Sequence, residues 1–300
     1  MGCLLRTVGT EDIDFVRGEG AYLWDSSGKR FLDLESGSWS SVMGHCHPRV
    51  TEALRDQAGR VVHLNVRHPC GLAKAAAERL LFLTGQTGGS CVFLSSGSEA
   101  VEFSVQAIRK VSGRTGMVKL EGGYMAAYGA AGSAASPDWH TVYWQGRDRD
   151  EVLREVDGLP WESIAGFVLE PGGASPAFMR FPPAWLVEAL ARGAQQSGGY
   201  LVSNEITTGM AKTGRWFGFQ HYGIEPDAVS VGKGLGNGYP VSAAALSPAL
   251  AARYEAAGLY YAQSHQNNPL GCAVALAVLD ELESGSWLEK ARAMEAWMRA

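Results

Sequence analysis

Three short apolar runs, Ala165–Leu169, Tyr200–Ser203 and Ala228–Val231, set the fold class of this chain. A helical pattern at Ala184–Gln196 separates the first two. Strands alternating with helices predict an α/β fold around a mainly parallel central sheet flanked by helices. Each run then meets polar residues: the first reaches Glu170, the second Asn204 and Glu205, the third Lys233. In open sheets of this kind, ligands bind in the crevice outside the carboxyl ends of the strands. Any one of these residues alone reads equally as a solvated loop position. Together, an acid, an amide–acid pair and a lysine at adjacent strand ends make one polar floor.

The rest of the chain fits around that sheet. Residues 19–43 read as an edge sheet, with Tyr22–Asp25 and Phe31–Leu34 flanking the turn cluster Ser26–Lys29. Helical periodicity marks Pro48–Arg60, Gly71–Leu83, Gly97–Val111, Asn268–Glu283 and Leu288–Ala300, and further short strands fall at Cys91–Leu94 and Met117–Leu120. Residues 121–136 form a glycine- and alanine-rich loop around Tyr124 and Tyr128. With 46% hydrophobic residues, 300 positions can bury a large core, so one big domain with a smaller piece is expected.

Composition narrows the function classes. A net charge of −5 with dispersed basic residues leaves no electrostatic footprint for nucleic acid. No apolar run is long enough to span a membrane, and no signal peptide is visible. Five scattered cysteines, Cys3, Cys46, Cys70, Cys91 and Cys272, read as reduced thiols in a cytoplasmic protein.

Two loops carry chemistry. Lys233 lies among glycines in Gly232-Lys233-Gly234-Leu235-Gly236, just beyond an apolar strand. In a pocket that disfavours its charge, the neutral amine becomes a nucleophile toward an aldehyde. The glycine pattern by itself equally describes a flexible loop. Ser95-Ser96-Gly97-Ser98-Glu99-Ala100 joins a strand to a helix start, where free N–H groups and the helix dipole suit a phosphate. A plain serine N-cap explains the same residues, and both readings hold together.

Taken in order, Ser96-Gly97-Ser98-Glu99-Ala100-Val101-Glu102, Glu170-Pro171, Asn204-Glu205-Ile206-Thr207-Thr208-Gly209-Met210 with Thr213-Gly214, Pro226-Asp227 and Gly232-Lys233-Gly234 resemble the class III aminotransferases. Gly44-His45-Cys46-His47-Pro48 and Asn268-Pro269-Leu270 belong to the same pattern, and the resemblance spans residues 18–298. It implies a fold type I transferase dependent on pyridoxal 5′-phosphate (PLP), acting as a homodimer with its site at the subunit interface. The implied reaction moves an amino group from a small-molecule amine or amino acid to a keto acid or aldehyde. Lys233 would hold the cofactor as a Schiff base. Gly97 and Ser98 would bind its phosphate, joined by Ser264 from the neighbouring subunit. Tyr124 and Ile206 would lie against the two ring faces, Asn204 would face the ring nitrogen, and Glu170 and Glu205 would orient the floor. His45 and His47 would belong to the entrance region, without a metal. Residues 1–43 would be a segment of a small domain, 44–283 the large PLP-binding domain, and 284–300 the start of a C-terminal small domain that is missing.

The sequence also departs from the family. Aspartate is usual at position 204, where it holds the ring nitrogen protonated. The neutral Asn204 offers a hydrogen bond without that charge pairing, so proton transfer at the substrate Cα is expected to rely more on Lys233. Met125 replaces the usual histidine after the aromatic residue, and Gly172–Ser175 replaces a segment that carries glutamate in many relatives. These departures leave two alternatives: a racemase, aminomutase or decarboxylase on the same scaffold, or a catalytically impaired PLP-binding fragment or structural subunit.

Overall fold

A computed structural model of the protein describes residues 5, 7, 9, 12–133, 135–173 and 180–300. Two sheets are present. The first is antiparallel and contains β1 (Phe15–Glu19), β2 (Tyr22–Asp25) and β3 (Arg30–Leu32). The expected hairpin is therefore present, and β1 adds a strand that the sequence pattern did not reveal.

The second sheet has seven strands: β4 (Ser90–Leu94), β5 (Gly116–Leu120), β6 (Trp139–Val142), β7 (Ile164–Leu169), β8 (Tyr200–Asn204), β9 (Ala228–Val231) and β10 (Ser242–Leu246). Their order is β4-β10-β9-β8-β7-β5-β6. Every pairing from β9 to β6 is parallel, and β10 runs antiparallel to both its neighbours. All the other strands share one direction, so the carboxyl ends of β4, β5, β7, β8 and β9 lie along one edge of the sheet. The apolar runs Ala165–Leu169, Tyr200–Ser203 and Ala228–Val231 lie in the adjacent central strands β7, β8 and β9.

Helices cover both faces. On β8, Leu201 belongs to one core cluster while its neighbours Tyr200 and Val202 belong to the other, as strand alternation requires. One face packs against α1 (Pro48–Ala58), α2 (Gly71–Leu83), α5 (Ala184–Gln196) and α7 (Pro269–Ser284), through residues such as Val50, Leu80, Leu190 and Val278. The other face takes α3 (Gly97–Ser112) and α6 (Pro248–Ala256), through Val101, Val105, Ile108 and Ala251. Two further helices are α4 (Arg149–Asp157), opened by an Asp148 side-chain cap, and α8 (Trp287–Arg299).

α3 is built by its sequence at both ends. The Ser96 hydroxyl accepts from the Glu99 N–H, and the Glu99 carboxylate accepts from the Ser96 N–H, forming a capping box. Gly113 ends the helix in the left-handed region at φ 70°. β10 was not visible in the sequence because Ser242-Ala243-Ala244-Ala245-Leu246 has little strand propensity. Complete burial between β4 and β9 makes it a strand.

Candidate active site

The strand-end residues do converge. Asn204, 1% exposed at the end of β8, donates from its side-chain amide to the Tyr124 carbonyl at 3.1 Å. Its Oδ1 accepts from the Ile206 N–H at 3.3 Å. Glu170, at the end of β7, accepts from the Tyr124 N–H at 2.7 Å. The two side chains thus fix the backbone of Tyr124 from either side, while its ring stays half-exposed. Met125, the next residue, is buried in the core on the α3 side of the sheet.

Glu205 lies below this floor and is fully buried. Its carboxylate accepts from the Ser203 and Thr208 hydroxyls at 2.8 and 2.7 Å and from the Gly218 and Phe219 N–H groups at 2.7 and 2.8 Å. Four donors satisfy a charge that burial alone would make very costly.

Lys233 follows β9 in a left-handed conformation, φ 43°, which is uncommon for a residue with a Cβ and is typical of functional sites. Burial pulls its amine below the ordinary lysine range, and the negative charge of Glu170 opposes that pull. The amine lies 4.6 Å from the centre of the Trp39 ring.

Ile206 is wedged beside two glycines. A Cβ on Gly97 would meet Ile206 Cγ2 at 2.8 Å, and one on Gly232 would meet Ile206 Cδ1 at 3.0 Å. Glycine at both positions lets the phosphate-type loop, the floor and the lysine turn approach one another. At the start of α3 the Glu99 and Ala100 N–H groups are taken by the Ser96 side chain and carbonyl. The N–H groups of Gly97 and Ser98 remain at the open end of the helix, where an anion is favoured. The Ser98 hydroxyl accepts from the Ala127 N–H at 2.9 Å and keeps its own proton for donation.

Ser264 is not brought to this cluster. It lies in an exposed turn anchored to β4 by Asn267, whose N–H and Oδ1 pair with the carbonyl and N–H of Phe93, both at 2.9 Å. His45 pairs with Asp33 at 2.6 Å, and His47 faces Glu281 and Trp287. Among the described residues no group of His, Cys, Asp and Glu has the arrangement of a metal site. Of the Gly172–Ser175 segment, Gly172 packs on Thr208, while Ala174 and Ser175 lie outside the described residues.

Two further residues carry no signal in the local sequence. The Thr207 hydroxyl is buried at the floor without a hydrogen-bond partner. Trp39 reaches Lys233 from a segment far away in sequence, on the left-handed turn Ser36–Trp39, with φ between 55 and 63°. Asp33 starts that turn by accepting from the Glu35 and Ser36 N–H groups, both at 2.9 Å. Asn237 then clamps it to the lysine loop, accepting from the Met43 N–H at 2.9 Å and donating to the Gly44 carbonyl at 3.0 Å. No local sequence signal encodes these long-range meetings.

A lysine of lowered proton affinity, an open helix N-terminus and an apolar wedge at the carboxyl edge of a parallel sheet define a PLP-dependent transferase site. The orphaned Thr207 hydroxyl and the free Gly97 and Ser98 N–H groups fit the polar substituents of that cofactor. The chain belongs to the class-III aminotransferase family, whose model matches residues 6–300. It is 31% identical over 311 residues to the acetylornithine aminotransferase of Streptomyces coelicolor, covering 99% of this chain and 75% of that one. With the acetylornithine aminotransferase of Methanopyrus kandleri it shares 29% over 286 residues, 92% of this chain and 72% of that one. An (S)-enantioselective omega-transaminase from Thermomicrobium roseum superposes with a TM-score of 0.86 at 27% identity, covering 95% of this chain and 72% of that one. The protein is accordingly a PLP-dependent aminotransferase that uses a small-molecule amino donor and a keto acceptor. These findings favour transamination over the racemase, aminomutase, decarboxylase and inactive-subunit alternatives.

Proposed function

We propose that Lys233 is the amine that bonds the cofactor and then moves the proton of the transferred amino group's carbon. The observation that carries this is its position: a left-handed lysine at the end of β9, of lowered proton affinity, beside the open start of α3. When bound, PLP supplies an aldehyde carbon to the amine and a conjugated ring that takes up the electron pair released at the substrate Cα. Gly97 and Ser98 hold the phosphate through their N–H groups, with the Ser98 hydroxyl beside them. Tyr124 and Ile206 bracket the ring, and Asn204 presents its amide to the ring nitrogen without a formal charge. Glu170 and Glu205 act through others, the first by holding Tyr124 and the second by holding the Ser203–Phe219 scaffold. Lys233, its proton affinity lowered by burial, accepts the proton from the substrate Cα.

The donor is a primary amine whose apolar portion packs on Trp39 and the half-exposed rings of Tyr124 and Tyr128. The terminal amine of an ornithine-type amino acid and a benzylic amine both meet this description; the relatives include acetylornithine aminotransferases and an (S)-enantioselective omega-transaminase. Incubation of the PLP-loaded protein with N-acetylornithine, 1-phenylethylamine and alanine, in the presence of a keto acid, tests it. Ketone or aldehyde formation from at least one of the first two, lost in Lys233→Ala, is expected. No product from any donor by a fully loaded protein overturns it.

The working unit is a homodimer in which Ser264, in its exposed turn, reaches the phosphate of the partner's site. In domain terms, 44–283 is the cofactor-binding unit, with 1–43 and 284–300 contributing to a smaller one. The four cysteines among the described residues are free thiols, which supports the reducing cytoplasm as its compartment. No helix of the described residues is long and apolar enough to cross a membrane.

A further inference from the structure

A second lysine, half-buried on the segment that follows the floor, is left unused by the roles above. Lys212 Nζ donates at 3.1 Å to the carbonyl of Thr207, the residue whose buried hydroxyl has no hydrogen-bond partner. The backbone reaches Lys212 through two consecutive strained residues, Met210 at φ 63° and Ala211 at φ 67°, neither of them glycine. Left-handed conformations at methionine and alanine cost free energy, and they persist where the surroundings fix them. The Glu205 carboxylate already accepts from four other donors, and the Lys212 amine donates to a carbonyl rather than to a carboxylate.

We propose that Lys212 is a positioning residue for the transamination site: its amine fixes Thr207 from behind and acts electrostatically on Lys233. The proposal rests on the reading of Lys233 as the reacting amine. The charged and titratable groups around Lys212 are Glu205, Lys233, His221 and Tyr222 on the following turn, and Glu295 and Arg299 of α8. Burial is the largest influence on the Lys212 amine, followed by repulsion from Lys233. Together they outweigh the pull of Glu205 and bring it down to about 7. Near neutral pH, Lys212 therefore gains or loses its proton while Lys233 carries out its chemistry. The repulsion is mutual: a protonated Lys212 lowers the proton affinity of Lys233, and a neutral one leaves it higher. Arginine at this position keeps the charge at every working pH, and methionine removes it.

The test is a pH titration of the visible absorbance of the PLP-loaded protein in wild type, Lys212→Arg and Lys212→Met. Borohydride trapping and peptide mapping are run on each protein. The arginine variant is expected to have the lowest midpoint and the methionine variant the highest, about half a pH unit or more apart. Lys212→Gln, which keeps a donor for the Thr207 carbonyl, replaces methionine if that variant does not fold. Coincident or reversed midpoints, with Lys233 still trapped in all three proteins, overturn the role of Lys212 and leave that of Lys233 standing. If wild-type Lys233 is not trapped, the reading beneath both is overturned.

Discussion

The side-chain amide of Asn204 donates to the backbone carbonyl of Tyr124 at 3.1 Å, tying the end of β8 to the loop that follows β5. An amide can do this and a carboxylate cannot. A carboxylate in the same place has no proton for the carbonyl and faces its oxygen inside a nearly closed environment. The residue that departs from the family's aspartate is therefore part of a local solution, in which the neutral side chain spends one N–H on the loop and keeps the other.

Asn204→Asp is expected to destabilise the cofactor-free protein by about 1–3 kcal/mol, because a buried donor is lost and an unpaired charge takes its place. Urea unfolding of both proteins measures it. A variant as stable as wild type would show that the Asn204–Tyr124 bond contributes nothing.

Gly97→Ala places a methyl group 2.8 Å from Ile206 Cγ2. Ile206 must then shift from the ring face, and the predicted consequence is a loss of PLP affinity of roughly tenfold or more, with far-UV circular dichroism unchanged. Fluorescence titration with PLP reads it, and unaltered affinity would count against the wedge.

Asp33 gives the site an acid limit. Burial opposes its charge, but hydrogen bonds from His45 and from the Ser36 and Glu35 N–H groups outweigh that, and the carboxyl titrates below its ordinary 3.8. A depressed folded value stabilises the protein fully above the unfolded value and loses that contribution as the pH falls through the folded one. As the pH falls below 3.8 and through that depressed value, the turn carrying Trp39 should therefore loosen, visible as a change in tryptophan emission. Asp33→Asn should show the loosened signal already at pH 7, at a cost of about 1 kcal/mol.

The strands and helices that build the floor were legible because their apolar runs are local. Ala184–Gln196 and Ala228–Val231 are found where periodicity put them. β10 was hidden because its alanines express no preference until β4 and β9 enclose them. The same divide separates the site residues. Lys233, Asn204 and Glu170 announce themselves as polar positions just after apolar strands. Trp39, Thr207 and Lys212 matter only through where the chain brings them, by way of the Asn237 clamp and the strained Met210–Ala211 bend.

Thiol accessibility checks the packing independently. Cys46 is exposed, Cys272 is buried with its thiol pushed up by burial, and burial pushes the half-buried Cys91 up to about 12. In the native protein a maleimide should label Cys46 within minutes and reach Cys91 and Cys272 only after unfolding, as resolved by peptide mass spectrometry. Early labelling of Cys272 would contradict the placement of α7 against the sheet.

The most direct measurement is reductive trapping. The PLP-loaded protein is treated with borohydride, digested, and every lysine peptide weighed. The added mass of the reduced cofactor is expected on Lys233 alone, with Lys212 and Lys119 unmodified and the Lys233→Ala protein carrying none. A modified lysine elsewhere, or a folded and loaded protein with Lys233 untouched, would contradict it.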